Sequence, residues 1–157
     1  MPLKKTRPLS KIAIDPKRQT ELCDAIEHFY FAYRAFTSRP DRLLEQRGLG
    51  RVHHRILYFL GRNPGLAVNE LLSTLGVSKQ ALNAPLRQLL EMKLITADSP
   101  QHDRRVKQLA LTDAGKKFEM QLTHTQMKQL AAVFDGAGAK AEKTWLEIMK
   151  AVPHKLD

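Results

Sequence analysis

The stretch Leu66–Gly115 reads LAVNELLSTLGVSKQALNAPLRQLLEMKLITADSPQHDRRVKQLALTDAG, and its order of elements decides the fold. Val68, Leu71, Leu72 and Leu75 recur at helical spacing and predict a short amphipathic helix over about 68–75. Gly76 is a helix-stop residue, Val77 an apolar turn residue, and Ser78 an N-cap for a second helix. Along that helix Leu82, Leu86, Leu89 and Leu90 form the stripe expected to be buried. Gln80, Asn83, Ala84, Arg87 and Glu91 form the opposite face. Leu94-Ile95-Thr96 then reads as a short strand, Asp98 to Arg105 as a polar loop containing Pro100, and Val106–Leu111 as a returning strand. Thr112 caps a further helix. Helix, turn, helix and hairpin in this order describe a winged helix-turn-helix. The fold class is therefore mainly α with a small β-hairpin wing.

Outward from this stretch, the chain is helical on both sides. On the C-terminal side Phe118, Leu122, Leu130 and Phe134 predict a helix from about Asp113 to Phe134, interrupted by Gly136-Ala137-Gly138. A last helix over about 139–152 is expected to bury Ala141, Trp145, Ile148, Met149 and Val152 and to end at Pro153. On the N-terminal side Asp15-Pro16 is a helix start, with Asp15 as N-cap and Pro16 in the first turn. Leu22, Ile26, Phe29, Tyr33 and Phe36 make one helical stripe to about Thr37, where Ser38-Arg39-Pro40 is expected to break the helix. Tyr30 and Phe31 lie off that stripe. A helix apolar on more than one side needs more than one partner, and a second subunit would supply it. A connection over 41–50, a helix over about 51–60 and the turn cluster Gly61-Arg62-Asn63-Pro64-Gly65 lead back to the starting stretch.

The resulting organisation is a basic arm over 1–14, with Lys4, Lys5, Arg7 and Lys11, followed by a single winged-helix domain over 15–157. Its DNA-binding lobe spans about 51–112, and its dimerisation helices about 15–37 and 113–152.

Bulk properties narrow the partners. In 157 residues, 26 Lys and Arg face 16 Asp and Glu, for a formal charge of +10. That excess favours a polyanion, either nucleic acid or an acidic membrane surface. The single cysteine, Cys23, excludes an intrachain disulfide. The basic N-terminus is followed by no apolar signal region, and no apolar run reaches membrane-spanning length. A cytoplasmic protein without a membrane partner is the expectation.

The chemistry of the quoted stretch then suits duplex DNA. The N-terminal part of a second helix in this motif faces base edges in the major groove. Here it offers Ser78, Lys79, Gln80 and Asn83, with Arg87 a turn further on. Gln and Asn can bond adenine bidentately, Arg and Lys can bond guanine or phosphate, and a serine hydroxyl can reach phosphate. The hairpin tip carries His102, Asp103, Arg104 and Arg105, with Lys107 next. Arginine suits a narrow, electronegative minor groove, and Asp103 is placed to aim a neighbouring arginine, Arg105. A solvated polar helix face and a charged loop are the bland alternatives. Pro85 inside the recognition helix cannot donate to the Ala81 carbonyl and costs about 3 kcal/mol unless the helix bends or is re-aimed.

On these residues the sequence resembles the MarR family of dimeric winged-helix transcriptional regulators. The family's wing signature is an Asp, an Arg two residues on, a Leu-Thr pair eight and nine residues after the Asp, and a Gly shortly beyond. This chain has Asp103, Arg105, Leu111-Thr112 and Gly115. Leu75-Gly76-Val77-Ser78 matches the family's turn, and Leu86, Leu89, Leu90, Leu94 and Ile95 match its run into the first wing strand. The resemblance covers about 15–152. It implies a homodimer, a pseudo-palindromic double-stranded DNA site, repression, and relief by a small aromatic effector. Phe29, Tyr33, Phe36, His53, His54 and Tyr58 are the candidate effector-pocket residues, with core packing as their alternative.

Two alternatives carry their own tests. One is a winged-helix protein-interaction module, against which the basic wing and polar recognition face argue. The other is a thiol redox sensor using Cys23, as in the family's peroxide-sensing branch. There, tyrosines near the start of the second helix support the thiolate. Here Gly50-Arg51-Val52-His53-His54 has none. Adjacent His53 and His54 do not share a helix face, so no metal site is expected. No cofactor is implied, and no phosphate loop, catalytic triad motif or carboxylate pair marks an enzyme.

Overall fold

The structure is a computed structural model that describes residues 12–99 and 106–155. Its elements are helices α1 (Pro16–Glu45) and α2 (Arg51–Arg62), strand β1 (Leu66–Ala67), helices α3 (Val68–Leu75) and α4 (Lys79–Glu91), strands β2 (Ile95–Asp98) and β3 (Gln108–Leu111), and helices α5 (Asp113–Ala137) and α6 (Ala139–Ala151). A 3-10 turn, Val152–Lys155, follows α6 and carries the chain past Pro153. The elements form two compact units. One is Thr37–Gln126, the winged unit. The other combines Met1–Phe36 with Met127–Asp157, the helical unit.

In the winged unit the core is aliphatic. Leu44, Leu49, Ile56, Leu57, Leu60, Leu71, Leu82, Leu86, Leu89, Leu94, Ile95, Leu109, Leu111, Phe118 and Leu122 are buried together. The sheet has the order β1-β3-β2 and is antiparallel throughout. Leu109 pairs with Leu66 on one side and Ala97 on the other. β1 is missing from the sequence reading, which left Leu66 and Ala67 unassigned between the Gly61–Gly65 turn cluster and the helix over 68–75. Two residues carry no periodicity, and the strand exists because Leu66 and Ala67 pair with Leu109 and Gln108.

The start of α5 explains the Leu-Thr-x-x-Gly part of the wing signature. The Thr112 hydroxyl donates to the carbonyls of Lys93 and Leu94, at 2.8 and 3.2 Å, and accepts from the Gly115 amide at 3.0 Å. It caps α5 and ties it to the beginning of β2 at once. Gly115 is buried against the Leu94 carbonyl. A Cβ there would overlap the carbonyl oxygen and lie 2.9 Å from its carbon.

Several expectations need correction. Pro40 does not end the first helix, which runs on to Glu45 with Pro40 and Leu44 buried. Burying Leu44 contributes about 1.5–3 kcal/mol, enough to offset much of the roughly 3 kcal/mol of an interior proline. α2 continues through Gly61 to Arg62, and α5 through Gly136 to Ala137. Gly138, at φ 87°, makes the break before α6. α6 buries none of its residues. Trp145, although Phe134 meets it edge-on at 5.3 Å, is 38 % exposed, and Ile148 is 45 % exposed.

The start of α1 is as read: the Arg18 amide donates to Asp15 Oδ1 at 2.9 Å. Among the described residues, no helix is long and apolar enough to cross a membrane.

Candidate nucleic-acid interface

The turn between α3 and α4 follows from three residues. Gly76 is left-handed at φ 62°, ψ 34°, a conformation that glycine adopts without a Cβ clash. Val77 then donates its amide to the Leu72 carbonyl and packs against the core. The Ser78 hydroxyl oxygen accepts the Ala81 amide at 3.2 Å and so caps α4. The hydroxyl hydrogen remains available to donate outward, so a cap and a phosphate contact are compatible.

α4 is continuous through Pro85. Leu82, Leu86 and Leu89 are buried, and Lys79, Gln80, Asn83, Ala84, Arg87 and Glu91 are exposed. Leu90, expected in the buried stripe, is 37 % exposed. Arg87 approaches Glu91 at 3.9 Å with both side chains largely in solvent, 76 % and 69 % exposed. Such a pair is worth at most a few tenths of a kcal/mol, so Arg87 is easily drawn to a stronger anion.

Between α4, the start of α3 and the hairpin lies an open groove of about 680 Å³. Lys79, Asn83 and Arg87 from α4 line it, together with Lys107 from the hairpin. Four of the eight residues predicted to touch DNA thus share one concavity. Leu90 and Val106 also line it, which accounts for their exposure. Lys107 precedes β3 rather than lying in it, so the returning strand is two residues shorter than expected. Ser78 and Gln80 are exposed but do not line the groove. Asp103, Arg104 and Arg105, as well as His102, lie outside the described residues.

Asn69, in the first turn of α3, lines the groove as well and was not singled out by the sequence. Its place depends on β1 pairing with β3, which brings the start of α3 beside the hairpin. No local pattern announces that pairing.

The six candidate effector residues fall on different units. Phe29 and Tyr33 are exposed and Phe36 half-buried on the part of α1 that belongs to the helical unit. In the winged unit His53, His54 and Tyr58 are half-buried on α2, and each has a local partner. Tyr58 meets Phe59 edge-on at 5.3 Å, and the Arg62 guanidinium sits 5.8 Å from its ring. His54 Nε2 lies 3.5 Å from the Thr123 hydroxyl, which in turn donates to Glu119 Oε1. Burial pushes the His54 imidazole below its ordinary value. Asp41 opposes that shift and Arg55 adds to it. His53 bonds Gly50 and Gln88. Cys23 is exposed on α1, in the helical unit.

Comparison with known proteins agrees with this fold. The family model described as MarR family matches residues 47–105. The HTH-type transcriptional regulator PetP of Rhodobacter capsulatus is 39 % identical over 132 residues, which cover 84 % of this chain and 80 % of PetP. The crystal structure of a MarR family transcription regulator superposes with a TM-score of 0.73 at 19 % identity, covering 88 % of this chain and 91 % of that one. Reduced AbfR bound to DNA superposes with a TM-score of 0.67 at 18 % identity, covering 90 % and 99 %. At these identities the two structures establish the fold alone.

Proposed function

The chain belongs to the MarR family of winged-helix transcriptional regulators, and from that premise we propose that it binds a pseudo-palindromic double-stranded DNA site as a homodimer and represses by occupying it. The groove that gathers Lys79, Asn83 and Arg87 of α4 with Lys107 of the hairpin carries this reading. In it α4 enters the major groove, Asn83 and Gln80 address base edges, and Lys79 and Arg87 address phosphate or guanine. Ser78 contacts a phosphate from the helix cap. Arg104 and Arg105, the latter aimed by Asp103, extend the contact into the minor groove.

The dimer supplies a second recognition helix about one turn of DNA away, ~34 Å. Exposed Ile26, Phe29, Tyr30 and Phe31 on α1 and Trp145, Leu146 and Ile148 on α6 are the surface that a second copy would cover. A small aromatic effector relieves repression only if it binds one spacing of the two winged units more tightly than another.

The test is a salt titration of binding to a duplex selected from a random library by the protein itself. Lys79, Arg87, Arg104, Arg105 and Lys107 of each protomer predict a steep log–log slope, approaching roughly −9 if all ten side chains of the dimer neutralise phosphates. Arg87→Ala should weaken binding about tenfold and flatten that slope. A protein that retains no duplex at low salt, yet captures a protein partner, is the interaction module instead.

A further inference from the structure

Gln88 sits on α4 beside Arg87, and both ends of its amide are engaged. Its Oε1 is 3.0 Å from His53 Nε2, and its Nε2 donates to the Gly48 carbonyl at 3.0 Å. The other ring nitrogen of His53, Nδ1, accepts the Gly50 amide at 3.0 Å. The directions of these bonds fix one another. A backbone amide only donates, so Nδ1 is the acceptor and the ring proton resides on Nε2. That proton requires the Gln88 oxygen opposite it, which turns the Gln88 amide nitrogen toward Gly48. Two bonds thus tie α4 to the start of α2 and to the turn between α1 and α2, and the third, within the start of α2, fixes the His53 ring between them.

The far end of this chain of bonds is itself held. Leu49 is buried in the core, the Arg47 guanidinium lies 4.1 Å over the Phe118 ring, and Arg51 pairs with Asp41 at 2.8 Å. The near end is where α4 needs support. Its buried face is Leu82, Leu86 and Leu89, and apolar burial is non-directional. Pro85 also removes one internal bond between the first turns of α4 and Gln88.

We propose that His53 and Gln88 are positioning residues that set the rotation and pitch of α4, and through it the aim of Asn83 and Arg87. The inference rests on the DNA-reading role given to α4 above. Its consequence is a particular kind of loss. Phosphate attraction tolerates a helix turned by a few degrees, whereas base-edge hydrogen bonds, which need near-linear geometry, do not. Loss of the clamp should therefore lower discrimination rather than binding as such.

The experiment measures affinity for the library-selected duplex and for random duplex, at one salt concentration, with the full chain. Gln88→Met keeps the length of the side chain and removes both bonds. It should lower the selected-to-random affinity ratio about tenfold while leaving affinity for random duplex unchanged. His53→Phe should do the same. His53→Gln, whose amide nitrogen can stand where Nε2 stood, should recover most of the ratio.

Pro85→Ala restores the missing internal bond, and Gln88→Met in that background should reduce the ratio only two- to threefold. Thermal midpoints accompany each variant. If Gln88→Met and His53→Phe are folded and keep the wild-type ratio, or if Gln88→Met costs the same in the wild-type and Pro85→Ala backgrounds, the clamp does not position the helix. If the wild-type chain itself does not distinguish selected from random duplex, the DNA-reading role fails first and takes the clamp with it.

Discussion

The winged unit and the helical unit use their apolar residues in opposite ways. Every described residue that is buried lies in Thr37–Gln126, where Leu44, Ile56, Leu57, Leu60, Leu71, Leu82, Leu89 and Leu122 have no exposed surface at all. In the helical unit no described residue is buried, although it holds Phe29, Tyr30, Phe31, Tyr33 and Trp145. Among the described residues, Tyr30 and Phe31 meet edge-on with each more than half exposed, and Phe134 meets Trp145 without burying either. A core that closes within one chain signals a unit whose fold is its own. An aromatic surface that stays open signals a unit completed by association. The two units should therefore respond differently to mutation. Damage inside the winged unit should be felt by the single chain, and damage in the helical unit by the assembly.

The largest effect should come from Gly115→Ala. Its new methyl group meets the Leu94 carbonyl, which is backbone and held in place by the Thr112 hydroxyl and amide. Neither partner can rotate away, so the start of α5 must lift off β2. Overpacking of this kind costs about 3 kcal/mol, or a fall in thermal midpoint of roughly 6–12 °C for a chain of this size. The fall should be independent of protein concentration down to the point where assembly is lost. A midpoint within a degree of wild type would mean that the winged unit is not the closed, close-packed body described above.

Phe29→Asp should give the converse. Phe29 is 59 % exposed in the single chain, so a carboxylate there leaves the winged unit untouched. In the dimer it would bury a charge where an aromatic anchor stood. Loss of such an anchor is worth about 2 kcal/mol or more, some thirtyfold in association by the usual conversion. Sedimentation equilibrium should show a monomer at concentrations where the wild type is a dimer, with DNA affinity falling in parallel. A variant that remains dimeric would show that this stretch of α1 is not what a second copy covers.

What was legible in the sequence divides by how far away each feature's cause lies. α3, the turn and the cap of α4 were readable because their causes are local: Gly76 takes a left-handed conformation, and Ser78 caps the third residue onward. The hairpin strands were readable from alternation, to within two residues. The features that were missed depend on distant partners. Pro40 is carried inside α1 by burial of its own side chain and Leu44, which no helix rule registers. β1 exists only as a partner of β3, and Asn69 reaches the groove only through that pairing. Leu90 continues a leucine stripe by spacing yet faces the groove. The contact of His53 with Gln88 joins residues 35 positions apart, and no local pattern announces it. α6 reads as a buried helix by its periodicity, yet none of its residues is buried, because periodicity does not say what surface covers an apolar face.

The smallest effect separates the two units by pH. His54 belongs to the winged unit, and burial is the largest influence on it, holding it neutral below its ordinary value of 6.5. In the unfolded chain the same imidazole takes up a proton near that value. Below it the unfolded state binds more protons than the folded one, so acidification favours unfolding. The stability that neutral His54 contributes is complete above 6.5 and is lost as pH falls from there toward the lowered value in the fold. His54→Gln, which keeps an amide near Thr123 and cannot titrate, should lose less of its thermal midpoint than wild type between about pH 7.5 and about pH 5. Because His54 lies in the unit whose core closes within one chain, the difference should persist in the Phe29→Asp monomer. A pH response that vanishes with the dimer would place the titrating group at the interface, and it would move His54 from the closed unit's own network to the surface that a second copy completes.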